Sequence, residues 1–149
     1  TSTNVASLAD TQIGAMTATQ IGRLTNAVVH SLAASQLGTL DATQVQAFTT
    51  SQIAALNATD LDEFTTTQVG QFSTTQVRAL TNTTIGDLSS ASFGAFAVSQ
   101  LAQLTTTQID HLTTTNLSAL NSTQLNSFTS TQVASFDDAQ LEAYLLGIA

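Results

Sequence analysis

Apolar residues return at fixed places in an eight-residue period, and nothing else in the sequence limits the possible folds so sharply. Label the octad a to h, with a on Leu8. Position a reads Leu8, Met16, Leu24, Leu32, Leu40 and Phe48, then continues as Leu, Phe or Tyr as far as Tyr144. Position f reads Val5, Ile13, Ile21, Val29 and Leu37, then Val, Ile, Leu or Phe as far as Leu141. One long helix cannot use this pattern. Eight residues turn an α-helix through about 800°, so an octad stripe slips about 80° per repeat and never forms one buried face. A coiled coil needs spacings that average about 3.5 residues. The period runs from Thr1 to Leu141 without an insertion, so residues 1–149 read as a single repeat unit with no linker. It opens in repeat register, as a segment excised from a longer array would.

The polar positions show how each octad starts. Position b is usually a helix-capping residue, as in Thr17, Thr25, Asp41, Thr49, Asn57, Thr105 and Asp137. Three residues later, position e is most often Gln, as in Gln20, Gln44, Gln52, Gln68, Gln108 and Gln140. Thr or Ser followed by Gln at this spacing is a capping box. The b side chain accepts the e backbone N–H, and the Gln side chain reaches back to the b N–H. Positions a and f are then N′ and N4, the two halves of a hydrophobic staple. We expect Leu104 to pack on Ile109 across the cap of Thr105.

Each octad therefore predicts one short helix, from about c to the next a. Helices this short are unstable alone, so neighbouring repeats must hold them, which makes the chain an all-α solenoid of very short capped helices. The alternative is a β-solenoid, favoured by the abundance of Thr, Val and Ile. A strand, however, has no use for Gln three residues after a cap. Position d is Thr, Ser or Ala from Thr3 to Ala139, and such uniform smallness predicts close packing there. Position g separates into three phases. Gly14, Gly38 and Gly86 share one, Gly22, Gly70 and Gly94 a second, and His30, Ala54, Arg78, Ala102 and Asn126 the third. Three octads per coil fit these phases. Stacked two-octad hairpins are the competing arrangement.

The strings LTTTQI, FTTTQV and FTSTQV resemble the L-T-T-x-Q-[IV] octapeptide arrays of very large bacterial secreted or surface proteins, many of them adhesin-like. The resemblance covers residues 1 to about 141. It implies an extracellular or cell-surface location and carries no functional residues with it. Ala9, Ala33 and Ala97 at b, and Val28 and Thr84 at e, depart from the motif and predict local loss of half a cap.

Chemistry is sparse. Two Lys or Arg against ten Asp or Glu give a net charge of -8. Arg23 and Arg78 cannot build the basic surface that phosphate backbones need, so no nucleic acid is expected as a partner. No apolar run reaches the length of a membrane span. There is no Cys. His30 and His111 read as solvated polar positions, with Asp110 offering at most a weak metal contact beside His111. Asp60, Asp62 and Glu63 form the densest carboxylate cluster, where Ca²⁺ is the one cofactor to consider, but they lack an EF-hand or β-roll loop. The sequons at Asn57, Asn82, Asn116 and Asn121 are explained at Asn57 and Asn121 by capping alone. Residues 144–149 break the pattern, with Leu145 and Leu146 at b and c, where polar residues belong. Tyr144, Leu145, Leu146 and Ile148 form either a plug over the last coil or an end-to-end joint between molecules. The sequence thus points to a non-catalytic extracellular spacer or self-assembling fibre segment. The alternative is an adhesion module presenting Thr rows to glycan or ice, if the d positions face solvent.

Overall fold

A computed structural model describes residues 4, 5 and 7–149 of the chain. From Asp10 onward it contains 17 helices, one per octad, and no strand is found among the described residues. The chain is an all-α solenoid, and the β-solenoid alternative falls. All helices but the last have four to six residues, running for example Ala18–Gly22, Thr50–Ala55 and Thr106–Ile109. They begin at c as expected but stop at f, g or h, short of the next a. The reason is that b must be extended to act as an N-cap: Thr17 lies at φ -72°, ψ 156°. The chain prepares for this by tightening the helix end into i→i−3 bonds, as in Arg23 N–H to Gln20 O at 3.1 Å and Leu24 N–H to Ile21 O at 3.1 Å. No described residue has a positive φ, so the octad turns without left-handed backbone.

The capping boxes form. Thr49 Oγ1 accepts the Gln52 N–H at 3.2 Å, and Gln52 Oε1 accepts the Thr49 N–H at 2.7 Å. At Ala9, Ala33 and Ala97 only the Gln half survives, with the b N–H still donating to Oε1. At Val28 only the Thr25 half survives. Positions a and f make one continuous core, and the pair Leu104 and Ile109 is buried in it. Edge-on aromatic contacts link octads one or two repeats apart within that core. Phe64 lies 5.9 Å from Phe48 and 5.3 Å from Phe72, ring centre to ring centre.

The Gln side chains fix the coil. Gln52 Nε2 donates to Leu24 O at 2.7 Å and to Ile21 O at 3.1 Å, which lie 28 and 31 residues earlier. The acceptors are an a and an f residue. Position e lies four and seven positions beyond the a and f of the preceding octad, so the remainder of each span is three whole octads, and that is one coil. The helix Asp10–Gly14 accordingly packs on Ala34–Leu37, and Ala18–Gly22 on Ala42–Gln46, three helices further on. The solenoid has three sides. The first holds the octads that begin at Ala9, Ala33, Asn57, Thr81, Thr105 and Thr129. The second and third hold those that begin one and two octads later.

Candidate functional site: stitched corners and displayed hydroxyls

The e-position Gln does more than close its own box. From Gln36 to Gln140 every e-position Gln is buried. Gln76 shows the full arrangement. Its Oε1 accepts the Ser73 N–H at 2.7 Å, and its Nε2 donates to Val45 O at 3.0 Å and Phe48 O at 2.9 Å in the coil below. The same pairs recur at Gln68, Gln100, Gln108, Gln132 and Gln140. Of the two carbonyls served, the a carbonyl is one that the helix end leaves without a backbone partner, whereas the f carbonyl also accepts the N–H of the next a residue, as Val45 O does from Phe48. Both are buried, where an unmade bond would be costly. The sequence pattern revealed only the local half of this role. Its one sign was that e is never Glu, although Glu closes a capping box equally well. A carboxylate cannot donate to two carbonyls.

Exceptions at e are compensated. Asn116 and Thr84 are shorter, and each is bonded to an a carbonyl only, Leu88 O at 3.2 Å and Leu56 O at 3.0 Å. Asp60 has no proton to give. Instead His30 Nδ1, at position g in the coil below, approaches Asp60 Oδ2 to 2.8 Å, and the same oxygen accepts the Asn57 N–H at 2.9 Å. His30 is therefore not the merely solvated residue expected from sequence. At Ser92 the roles of the two coils are reversed. Asp62, at g below, accepts from Ser92 Oγ at 2.5 Å and Ser89 Oγ at 2.8 Å. Asp60 thus turns to the coil below and Asp62 to the coil above. Among the described residues no three His, Cys, Asp or Glu side chains are placed to share a metal ion. His111 Nδ1 lies 2.9 Å from its own helix at Thr107 O. Asn57 and Asn121 cap their helices, accepting from Asp60 N–H at 3.0 Å and Gln124 N–H at 2.9 Å.

Position d corrects the sequence reading. Every d residue from Thr11 to Ala139 is exposed, Thr43, Thr67 and Thr115 included. The close approach falls at g instead. A Cβ on Gly94 would come within 2.9 Å of the Ala119 carbonyl oxygen, and one on Gly86 would overlap the carbonyl oxygen of His111, both in the next coil. On the first side the d residues Thr11, Ser35, Thr59, Thr83, Thr107 and Thr131 form an unbroken, exposed hydroxyl ladder. The second side interrupts it with Ala91 and Ala139, and the third side begins it with Ala27. Exposure rather than burial marks these positions, and the contacts they make are at the surface, as where Ser35 Oγ donates to Asp10 Oδ1 at 3.2 Å.

At the last coil the helix Asp138–Ile148 continues past the usual stop. It stacks on Thr114–Ser118, as the three-octad coil requires, and then extends over Ser122–Leu125. Gly147 lies so close to Leu125 that a Cβ there would overlap Leu125 Cδ1. Tyr144 and Ile148 turn toward the core, whereas Leu145 and Leu146 remain 52% and 73% exposed. A shallow cleft of about 490 Å³ opens between this helix and Thr114–Ser118, lined by Leu117, Leu120, Glu142 and Leu146 among others. Among the described residues no helix is long and apolar enough to cross a membrane. Comparison with known protein families, curated proteins and solved structures finds no match to this chain.

Proposed function

We propose that the chain is a structural element, a stiff non-catalytic spacer that works outside a bacterial cell. The observation that supports this most is the repeated Gln stitch. Each coil is bonded to the next at its corners by buried amides that are also part of the helix caps. Bending the solenoid between coils would break buried hydrogen bonds, each worth about 1 kcal/mol net and more when left unmade. The extracellular location rests on the resemblance of LTTTQI and its variants to bacterial surface arrays. Small-angle scattering of the whole chain at several ionic strengths tests the reading. A rigid-rod profile that does not change with salt is expected. The profile of a flexible or bead-like chain would overturn it.

A second reading has one observation in its favour. Position d is exposed and yet confined to Thr, Ser and Ala, so packing does not account for its composition. A binding module would use the first-side hydroxyl ladder against a regular partner such as a glycan or ice. On the spacer reading, thermal hysteresis is no greater than for a neutral control protein. A clear hysteresis gap that disappears in the variant Thr83→Lys, Thr107→Lys would transfer the function to the ladder.

A further inference from the structure

The three sides of the solenoid carry charge unequally. Six of the ten carboxylates stand on the edge where the first side turns into the second. They are Asp62, Glu63, Asp87 and Asp110 at g or h of the first side, and Asp41 and Asp137 at b of the second. All but half-buried Glu63 are exposed. Positions g and b meet at this edge, where Ser89 Oγ donates to Asp62 Oδ1 at 2.8 Å. Asp10 and Asp138 lie at c on the first and second sides. The third side, opposite the acidic edge, has no ionisable residue at b, c or d. From residues 25–27 to residues 121–123 these positions hold Thr, Ser, Asn or Ala, with Val98 the one exception. The helices of this side stack in an unbroken row, Asn26–Val29 against Thr50–Ala55 and so on to Ser122–Leu125. Both arginines are exposed on the edges that bound it, Arg23 at h just before it and Arg78 at g at its far end. Glu142 is the one carboxylate at g or h on those edges. Val98 is 43% exposed, and outside the final helix it is the only large apolar side chain so exposed among the described residues. It follows Ala97, a b residue that gives no side-chain cap.

We propose that the third side is a pairing surface for a second copy of this chain, the two third sides lying face to face about a twofold axis. Such an isologous contact sets a surface against itself. It must therefore be free of like charge and complementary to its own copy. The first and second sides fail the first condition. The third meets both, because exposed hydroxyls such as those of Thr50, Thr75 and Ser99 donate and accept alike. Val98 adds an apolar contact that water would otherwise cover. Each copy carries a net charge of -8, and this pairing is the one that turns both acidic edges outward. They are then separated by the two solenoids, well beyond the Debye length of about 8 Å at physiological salt. The flanking arginines make the third side the least negative direction of approach. Five helices about 8–10 Å apart form a face roughly 45 Å long. Its width is roughly 12 Å, from about 1.5 Å per helical residue plus the caps. Each copy would bury about 500 Å², near the lower limit for a specific interface, so the pair is weak. This goes beyond the spacer reading by giving it a lateral partner, and it makes no use of the first-side hydroxyl ladder.

Sedimentation velocity of the whole chain at physiological salt, over a hundredfold concentration range reaching millimolar, tests this. Wild type should shift from monomer toward a species of twice the mass and no further. Thr50→Glu and Val98→Glu, both on the third side, should each weaken pairing about tenfold or more, since each charge enters the contact twice. Ala91→Glu, on the second side, adds the same charge away from the contact and should weaken it less than about twofold. All three side chains are exposed, and Glu suits the first turn of a helix, so far-UV circular dichroism should show all three variants folded. A monomer at every concentration would overturn the proposal. So would third-side variants that behave like Ala91→Glu. A monomeric wild type that is retained by powdered cellulose and released by Val98→Glu would also overturn it, and would give the face to an uncharged glycan instead. The scattering profile of the monomer reports separately on the rod.

Discussion

Replacing Gln108 by Glu isolates the stitch from the cap. Gln108 is 1% exposed. Its Oε1 accepts the Thr105 N–H at 2.9 Å, a role that Glu retains. Its Nε2 donates to Leu80 O at 2.8 Å and Val77 O at 3.1 Å, a role that a carboxylate cannot fill. An ionised Glu at this position would set a buried negative charge against two carbonyl oxygens, at a cost of several kcal/mol. The cheaper course is to take up a proton. From an unfolded pKa of about 4.3, holding the acid neutral at pH 7 costs about 3.7 kcal/mol. The neutral acid donates to one carbonyl and leaves the other, which costs about 1 kcal/mol more. The variant should lose about 4–5 kcal/mol at pH 7.

The pH dependence has a definite sign. The folded-state pKa of this Glu is raised above the unfolded value. The penalty is therefore least below about pH 4.3, where both states are protonated, and grows by about 1.4 kcal/mol per unit as pH rises toward the folded pKa. At pH 5 it should be about 2 kcal/mol. Gln20→Glu is the matched control, since Gln20 is exposed and no described residue lies beneath it as an acceptor. It should cost less than about 0.5 kcal/mol at either pH. Urea denaturation followed by far-UV circular dichroism at pH 7 and pH 5 reads both. Equal stabilities for the two variants at pH 7 would refute the stitch as the source of cohesion between coils. So would a penalty at Gln108 that ignores pH.

Other substitutions probe the remaining parts of the repeat. In a His30→Ala background, Asp60→Gln should restore the missing stitch to Leu32 and Val29 and raise urea-unfolding stability by about 1 kcal/mol. Gly86→Ala should destabilise by about 1–3 kcal/mol through overlap with the His111 carbonyl. Gly38→Ala, where a Cβ would meet only Ala34 and Ser35 of its own octad, should be neutral or gain up to about 1 kcal/mol, and paired thermal melts compare the two. Ala33→Thr should complete a half-formed box and add about 1 kcal/mol in the same assay.

The local fold was legible because its signals are local. The capping residue at b, the Gln at e and the staple pair at a and f all act within one octad and its immediate neighbour, and the structure reproduces them. The coil was legible only indirectly. Gly86 and Gly94 are small because a carbonyl of the next coil approaches them, and that spacing left a trace in the phases of g. Position d was not legible, because its small side chains imitate the signature of packing. Composition at one position cannot distinguish a residue that is small because a neighbour presses on it from one that is small and faces water. The His30–Asp60 contact was invisible for another reason. Its partners belong to different coils and different sides of the solenoid, and each looks ordinary alone.

The two roles of Gln explain why the chain repeats so strictly. A capping box alone tolerates Glu or Gln, and a buried corner alone would accept any donor of the right reach. Only Gln accepts at one atom and donates twice at the other, and Asn116 shows that a side chain one methylene shorter is bonded at a single carbonyl. The e side chain must therefore be Gln wherever a coil lies below and both carbonyls are to be served, unless position g of that coil supplies a substitute contact, as His30 and Asp62 do. Positions e and f turn inward, which leaves b, c and d on the outside. There the N-cap preference already selects Thr, Ser, Asp and Asn at b. Part of the hydroxyl-rich surface is thus a by-product of starting a helix every eight residues. Only the composition of c and d is free to be shaped by what the surface meets.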